Sequence, residues 1–330
     1  MSRHVVNILP EYRGKLRNAL ADILSRCPND TSHLRQLCVN LVEIYDASSS
    51  RRYIGVYGQQ KAGKSTLFNS IVGEEVLPVK AIPTTGSIID LIRNERVSDY
   101  TVTAYRKQAP FPRKFSTAEE VCAYLDKVAT QKDPFDKVEV EAAFINARSF
   151  MTSGCVLRDT PGAIANPEDA LADRLKEDSE KAIASLNEVC IPIFCVNGEV
   201  IGSQDDMDLY STYLRDRLCL HVITHSDGGK NKDVVADFDE KFGIYHDNIS
   251  ENPIICTGKK NRKSPFVDIG LAELASQINA FLDEASLSAK MLKMAEYILQ
   301  KKDELTWVRD VLLMDNLEQL IERIKEDENR

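Results

Sequence analysis

Tyr53-Ile54-Gly55-Val56-Tyr57-Gly58-Gln59-Gln60-Lys61-Ala62-Gly63-Lys64-Ser65-Thr66 carries the strongest pattern in the chain. The run Tyr53–Tyr57 reads as a short buried strand, and a helix is expected to open at Lys64. Between them, Gly58 to Ser65 fits GxxxxGK(S/T) in full, in the strand–loop–helix context that this motif requires. Glycines let the backbone wrap a chain of phosphates, while successive amide N–H groups and the helix N-terminus face the negative charge. Lys64 can reach the β- and γ-phosphates, and the Ser65 hydroxyl can ligate Mg²⁺. The expected phosphate-contacting set is Gly58, Gln59, Gln60, Lys61, Ala62, Gly63, Lys64, Ser65 and Thr66.

Outward from this loop, further elements fall in a consistent order. Asp159-Thr160-Pro161-Gly162 ends the apolar run Cys155–Leu157; a carboxylate at a strand tip can hold Mg²⁺ through water, and the Gly162 N–H can sense a γ-phosphate. Pro83-Thr84-Thr85-Gly86 lies between the two, where Thr84 or Thr85 can complete the metal shell; the spacing does not choose between them. Thr224-His225-Ser226-Asp227 follows the apolar run Leu218–Ile223, at the place where GTP-binding proteins carry N/T-K-x-D. Asp227 can accept from guanine N1–H and the 2-amino group, which adenine does not offer. His225 departs from the usual lysine, and an imidazole can stack on the base in its stead. Cys256-Thr257-Gly258-Lys259 follows a short strand, with Thr257 and Gly258 as candidate base contacts. The metal candidates are thus Ser65, Thr84, Thr85 and Asp159.

The surrounding chain is that of an ordinary folded protein. Its 330 residues carry 42 Lys+Arg against 51 Asp+Glu, a net charge of −9. A hydrophobic share of 43% supplies ample core and excludes disorder as the main state. The acidic balance excludes coating nucleic acid by bulk charge, and no nucleic-acid partner is expected. No apolar run approaches the roughly 20 residues of a membrane span, and the N-terminus leads into no signal-peptide core. The eight cysteines form no CxxC pair and sit mostly in apolar runs, which reads as buried free thiols in a reducing, cytoplasmic compartment. The five histidines are scattered, so no zinc cluster is expected.

The expected fold class is α/β: a mostly parallel central sheet flanked by helices, with a small helical bundle built from both terminal segments. Strands are expected at Tyr53–Tyr57, Ile88–Ile92, Tyr100–Tyr105, Val138–Ile145, Cys155–Leu157, Val189–Val196, Leu218–Ile223 and Pro253–Cys256. Helices should begin near Lys64, Thr117, Pro167, Asp205, Asp233 and Gly270. The strand-rich stretch from Arg93 to Val156 allows part of the sheet to be antiparallel. Residues 1–50 and 284–330 carry broad helical stripes that need partner faces and are expected to meet, bracketing a domain over 51–283. Trp307 is expected within that bundle.

Taken together, Gly58–Gly86 (GQQKAGKSTLFNSIVGEEVLP followed by IPTTG), DTPG and THSD resemble the P-loop GTPases, and more narrowly the dynamin superfamily, in particular the GTPase domains of bacterial dynamin-like proteins. The resemblance covers roughly Tyr53 to Leu282, and the flanking helices fit the family's neck. It implies GTP and GDP as ligands, Mg²⁺ as cofactor, and face-to-face pairing of nucleotide-bound domains into a homodimer that completes each site. It also implies that Gln60 orients the attacking water. At the next position many dynamins place a serine; here Lys61 can supply positive charge to the β–γ bridge. The segment 227–232 falls where the family makes cross-dimer contacts. Full dynamins continue into a long stalk and membrane tip, whereas this chain stops soon after Leu282. Either it is a truncated chain or it works with a partner chain that supplies the stalk, and membrane contact is expected only through such a partner. Two functions are weighed: a GTPase stimulated by dimerisation, and a nucleotide-gated binding module with slow or no hydrolysis. A ribosome-associated GTPase is disfavoured by the net charge of −9, and an ATPase leaves Asp227 without a purpose.

Overall fold

The sheet grows from short apolar runs that the sequence interrupts with helices. The computed structural model describes residues 8–26, 32–46, 51–79, 87–129, 135–152, 154–162, 172–215, 217–226, 231–242, 254–261, 263–303, 305 and 311–328. Thr84, Thr85, Asp227 and Trp307 fall outside them. The strands are β1 (Arg52–Tyr57), β2 (Ile88–Arg93), β3 (Tyr100–Arg106), β4 (Ala109–Phe115), β5 (Lys137–Ala142), β6 (Cys155–Asp159), β7 (Val189–Asn197), β8 (Leu220–Thr224) and β9 (Ile254–Cys256). Their order across the sheet is β4-β3-β5-β2-β6-β1-β7-β8-β9. The pairs β6–β1, β1–β7, β7–β8 and β8–β9 are parallel, as is β2–β5. The junction β2–β6 and the pairs β3–β5 and β3–β4 are antiparallel.

The helices are α1 (Pro10–Arg26), α2 (His33–Asp46), α3 (Lys64–Val72), α4 (Ala118–Ala129), α5 (Ala172–Ser185), α6 (Gln204–Leu209), α7 (Asn231–Phe242), α8 (Leu271–Leu282), α9 (Glu284–Gln300) and α10 (Val311–Glu328). One π turn, Tyr210–Leu214, continues α6. The strands β6 and β8 are buried at every position, as interior strands of a sheet covered on both faces are. Phe194 of β7 packs against Tyr210, Phe238 and Phe242, so an aromatic cluster holds α7 and the π turn to the sheet.

Two differences from the expected elements have plain physical causes. The run expected to extend from Val138 to Ile145 ends at Ala142, because Phe144 turns the chain with a positive φ of 43°. β4 was not expected at all: its sequence APFPRKF carries two prolines and no alternation. It is nonetheless a strand because it lies at the sheet edge. Pro110 and Pro112 are two residues apart, so their missing N–H groups both face outward while the intervening residues serve the ladder to β3. That same placement blunts the edge against pairing with another chain.

The terminal helices meet. α1 packs on α2, α9 and α10, and α9 packs on α2, α8 and α10. Their buried residues, among them Leu16, Leu20, Leu37, Leu41, Met291, Ile298, Leu317 and Ile321, pack together and run on into the core beneath the sheet. Polar ties span the chain ends: the Tyr12 hydroxyl donates to Asp327, and the Tyr45 hydroxyl donates to Glu284 Oε1 at 3.1 Å. Arg52 Nη1 donates to the Leu282 carbonyl at 2.6 Å, which fastens the start of β1 to the end of α8. Among the described residues no helix is long and apolar enough to cross a membrane.

Candidate functional site

The carboxyl ends of β6, β1, β7, β8 and β9 lie along one edge of the parallel part of the sheet, where ligands bind in open α/β folds. Every described candidate residue falls there. The loop after β1 begins at Gly58, with φ 153°; a Cβ at this position would overlap the Cys195 carbonyl oxygen, so the close approach of loop to β7 demands glycine. At its other end Gly63 caps α3 in a left-handed conformation, φ 82° and ψ 12°. Lys61 also has a positive φ, 64°, and is exposed, while Gly58, Ala62 and Lys64 are buried.

Two side chains brace the loop from beneath. Cys195 Sγ and Thr224 Oγ1 both donate to the Ala62 carbonyl, at 3.0 and 2.9 Å. Thr224, the first residue of the stretch matched to N/T-K-x-D, thus spends its hydroxyl on the phosphate loop. Burial pushes the Cys195 thiol up to about 12, so it serves as a neutral donor.

Lys64 is buried, and its ammonium donates to the Gly58 and Gln59 carbonyls at 2.9 and 2.8 Å. Burial pushes its pKa down, and the neighbouring Asp159 charge opposes that shift. Ser65 Oγ donates to Asp159 Oδ2 at 2.7 Å. Asp159 is itself buried, which raises its pKa against the pull of Lys64 and the Ser65 hydrogen bond. Its second oxygen, Oδ1, is buried without a hydrogen-bond partner. A hydroxyl and an orphaned carboxylate oxygen side by side are a hard-oxygen donor set, and such a set fits Mg²⁺. The Thr160 hydroxyl donates to the Val56 carbonyl at 2.6 Å, which fixes the turn after β6 against β1. This brings Gly162 against Gln60: a Cβ on Gly162 would lie 2.9 Å from the Gln60 backbone nitrogen.

The base side of the site is described in part. Thr257 N donates to the Ile223 carbonyl at 2.7 Å, and Ser226 N donates to the Thr257 carbonyl at 3.0 Å, so the segments after β8 and β9 are laced together. Thr257 and Gly258 are buried, and His225 is exposed with a φ of 55°.

One part of the site was not expected. The Gln59 carboxamide donates to Ser203 Oγ. Ser203 also accepts from the Asp206 backbone N–H at 3.2 Å and donates to Asp206 Oδ2 at 2.9 Å. The only trace of this in the sequence is the spacing Ser203-x-x-Asp206, a helix-capping pattern with aspartate in place of the usual glutamate.

The sequence profile described as the dynamin family matches residues 54–216. No match is found among the curated proteins. Among solved structures, two chains belong to an oligomerised bacterial dynamin pair described as a mechanism for long-range sensing and tethering of membranes. One is 16% identical with a TM-score of 0.48, covering 96% of this chain and 51% of that chain. The other is 16% identical with a TM-score of 0.47, covering 90% and 44%. Aquifex aeolicus Era bound to GDP and aluminium fluoride is 16% identical with a TM-score of 0.42, covering 79% and 69%. The chain spans about half the length of the bacterial dynamin structures it matches. The profile match starts inside β1, takes in the phosphate loop and the turn after β6, and stops before β8; over residues 54–216, just under half of the chain, this protein matches the dynamin family.

Proposed function

We propose that the chain binds GTP and hydrolyses it to GDP and phosphate with Mg²⁺, and that pairing of two nucleotide-bound domains stimulates the reaction. The observation that carries this reading is the convergence of Lys64, Ser65 and Asp159: an ammonium capped by the loop's own carbonyls beside a hydroxyl–carboxylate pair with one oxygen unpartnered.

In this account the loop amides from Gln60 to Thr66 and the N-terminus of α3 bind the β-phosphate, and Lys64 binds between the β- and γ-phosphates. Ser65 and Asp159, with Thr84 or Thr85, hold the cation, which when bound supplies positive charge to the developing phosphate charge. Gln60, packed against Gly162, orients the attacking water toward the γ-phosphate. Exposed Lys61 adds positive charge at the β–γ bridge once a facing domain excludes water from it. Thr257, Gly258, His225 and Asp227 form the base side, with Asp227 selecting guanine.

A second reading is a nucleotide-gated module whose bundle helices recruit a partner chain, with slow hydrolysis. It is favoured by exposed His225 standing where the family has lysine. Under either reading any membrane contact comes through a partner.

Turnover of GTP and ATP is measured against protein concentration, beside sedimentation with GDP and aluminium fluoride. GTP-specific turnover that rises faster than linearly, with a dimer only in the fluoride complex, is the expected result. Negligible, linear turnover and a monomer throughout would leave the second reading.

A further inference from the structure

The contact between Gln59 and Ser203 joins two things that sequence keeps 144 positions apart: the phosphate loop and the cap of α6. Ser203 has the extended backbone of an N-cap, φ −60° and ψ 153°. Its hydroxyl is fully used, accepting from Gln59 Nε2 and Asp206 N and donating to Asp206 Oδ2. A surface cap needs no buried acid, yet Asp206 is 3% exposed and its Oδ1 has no hydrogen-bond partner. Holding a carboxylate in that position is unfavourable unless its partners require it. Those partners lead straight to the site: the residue that Ser203 holds by its side chain, Gln59, gives its backbone carbonyl to Lys64 Nζ at 2.8 Å.

We infer that Ser203 and Asp206 are positioning residues for the nucleotide site, fixing Gln59 so that its carbonyl sets the place of the Lys64 ammonium. Neither residue contacts the phosphates; both act through Gln59. The groups that face the Asp206 carboxylate are Ser203 and Asp205 of its own segment, Gln59 of the loop, Lys64 of α3 and Cys195 of β7. Burial, reinforced by the Asp205 charge and opposed by the Ser203 hydrogen bond, pushes Asp206 up to about 6. The latch is therefore ionised and able to accept the Ser203 proton above that pH, and it weakens below it. As far as it concerns turnover, this inference rests on the GTPase reading above.

The test has a readout that needs no turnover. Hydrogen exchange of the nucleotide-free full chain is followed at the amides of residues 58–65 in wild type, Ser203→Ala, Asp206→Asn and Ser203→Thr. Loop exchange should rise about tenfold in the first two variants while β7 amides stay unchanged, and Ser203→Thr, which keeps the hydroxyl, should match wild type. In GTP turnover, Ser203→Ala and Asp206→Asn should raise KM about tenfold with kcat within about twofold. Wild type should show a rise of KM below pH 6 that is absent in Asp206→Asn. If Ser203→Ala does not fold, Gln59→Leu reads the same contact with the α6 cap intact. Unchanged loop exchange in the folded variants, or a loss confined to kcat, would overturn the inference. A wild type that turns over no GTP would refute the GTPase reading instead, and the exchange result would still decide the latch.

Discussion

Ser65 Oγ and Asp159 Oδ2 lie 2.7 Å apart, so the first turn of α3 and the last residue of β6 share one proton. That pair is the mechanical link between the phosphate loop and the turn that carries Gly162. In the proposed account it is also where a divalent cation would find hard oxygens, and the buried Asp159 carboxylate would favour the cation's charge. In wild type, Mg²⁺ should tighten GTP binding by at least about tenfold relative to EDTA, as read by titration calorimetry. Asp159→Asn and Ser65→Ala should reduce that Mg²⁺ effect to less than about twofold.

The glycines separate two kinds of site. Gly58 has no room for a Cβ against the Cys195 carbonyl, which is rigid backbone, and Gly58→Ala should cost about 3 kcal/mol in urea unfolding. Gly14 stands exposed inside α1 with nothing within 4 Å of a built Cβ. Gly14→Ala should therefore stabilise the chain by about 0.5–1 kcal/mol, through helix propensity and a less flexible unfolded chain.

Asp206 predicts a slope of stability with pH. Its folded pKa, about 6, lies above the ordinary carboxylate value of 3.8, so the folded state holds a proton that the unfolded state has released between those limits. Its contribution therefore becomes more favourable as pH falls from 6 towards 4, by up to about 1.4 kcal/mol per unit. The difference in unfolding free energy between wild type and Asp206→Asn should show that slope, and a difference flat with pH would refute it.

Beneath the site, Arg158 of β6 is buried and grips Asp90 of β2 with Nε and Nη2 at 2.8 and 2.9 Å, stacked over the Tyr53 ring at 4.4 Å. Lys137 Nζ reaches the same carboxylate at 3.0 Å. Asp90→Ala removes the buried carboxylate and leaves the guanidinium to the exposed Glu188, bonded to Nη1 at 2.7 Å, and should cost about 3 kcal/mol. Because Arg158 adjoins Asp159, the same variant should also weaken the Mg²⁺ effect; thermal melts with and without Mg²⁺–GDP measure both.

Much of this was legible in the chain, for reasons that differ by residue. The β1–loop–α3 unit was legible because phosphate binding fixes residue types at fixed spacing, from Gly58 to Ser65. β6 and β8 were legible because buried strands are continuous apolar runs, although both extend past the apolar residues to the buried polar residues Asp159 and Thr224. β4 was hidden because an edge strand tolerates prolines that would forbid a central one. The bond from Thr224 to the Ala62 carbonyl was not legible because position along a strand says nothing of which way the hydroxyl points. The Gln59–Ser203–Asp206 chain was illegible because it is made by tertiary contact, and its local trace, Ser-x-x-Asp, is shared by many helix caps.

The most direct test of the account is equilibrium binding of GTP, GDP and ATP in Mg²⁺ to the purified chain, beside Lys64→Ala. Buried Lys64 donates to two loop carbonyls and lies beside the Asp159 charge, the place from which the proposed account has it meet the nucleotide. GTP and GDP should bind at least about tenfold more tightly than ATP, and Lys64→Ala should weaken GTP binding about 100-fold while the circular dichroism spectrum stays the same. ATP bound as tightly as GTP, or GTP affinity untouched by Lys64→Ala, would contradict it.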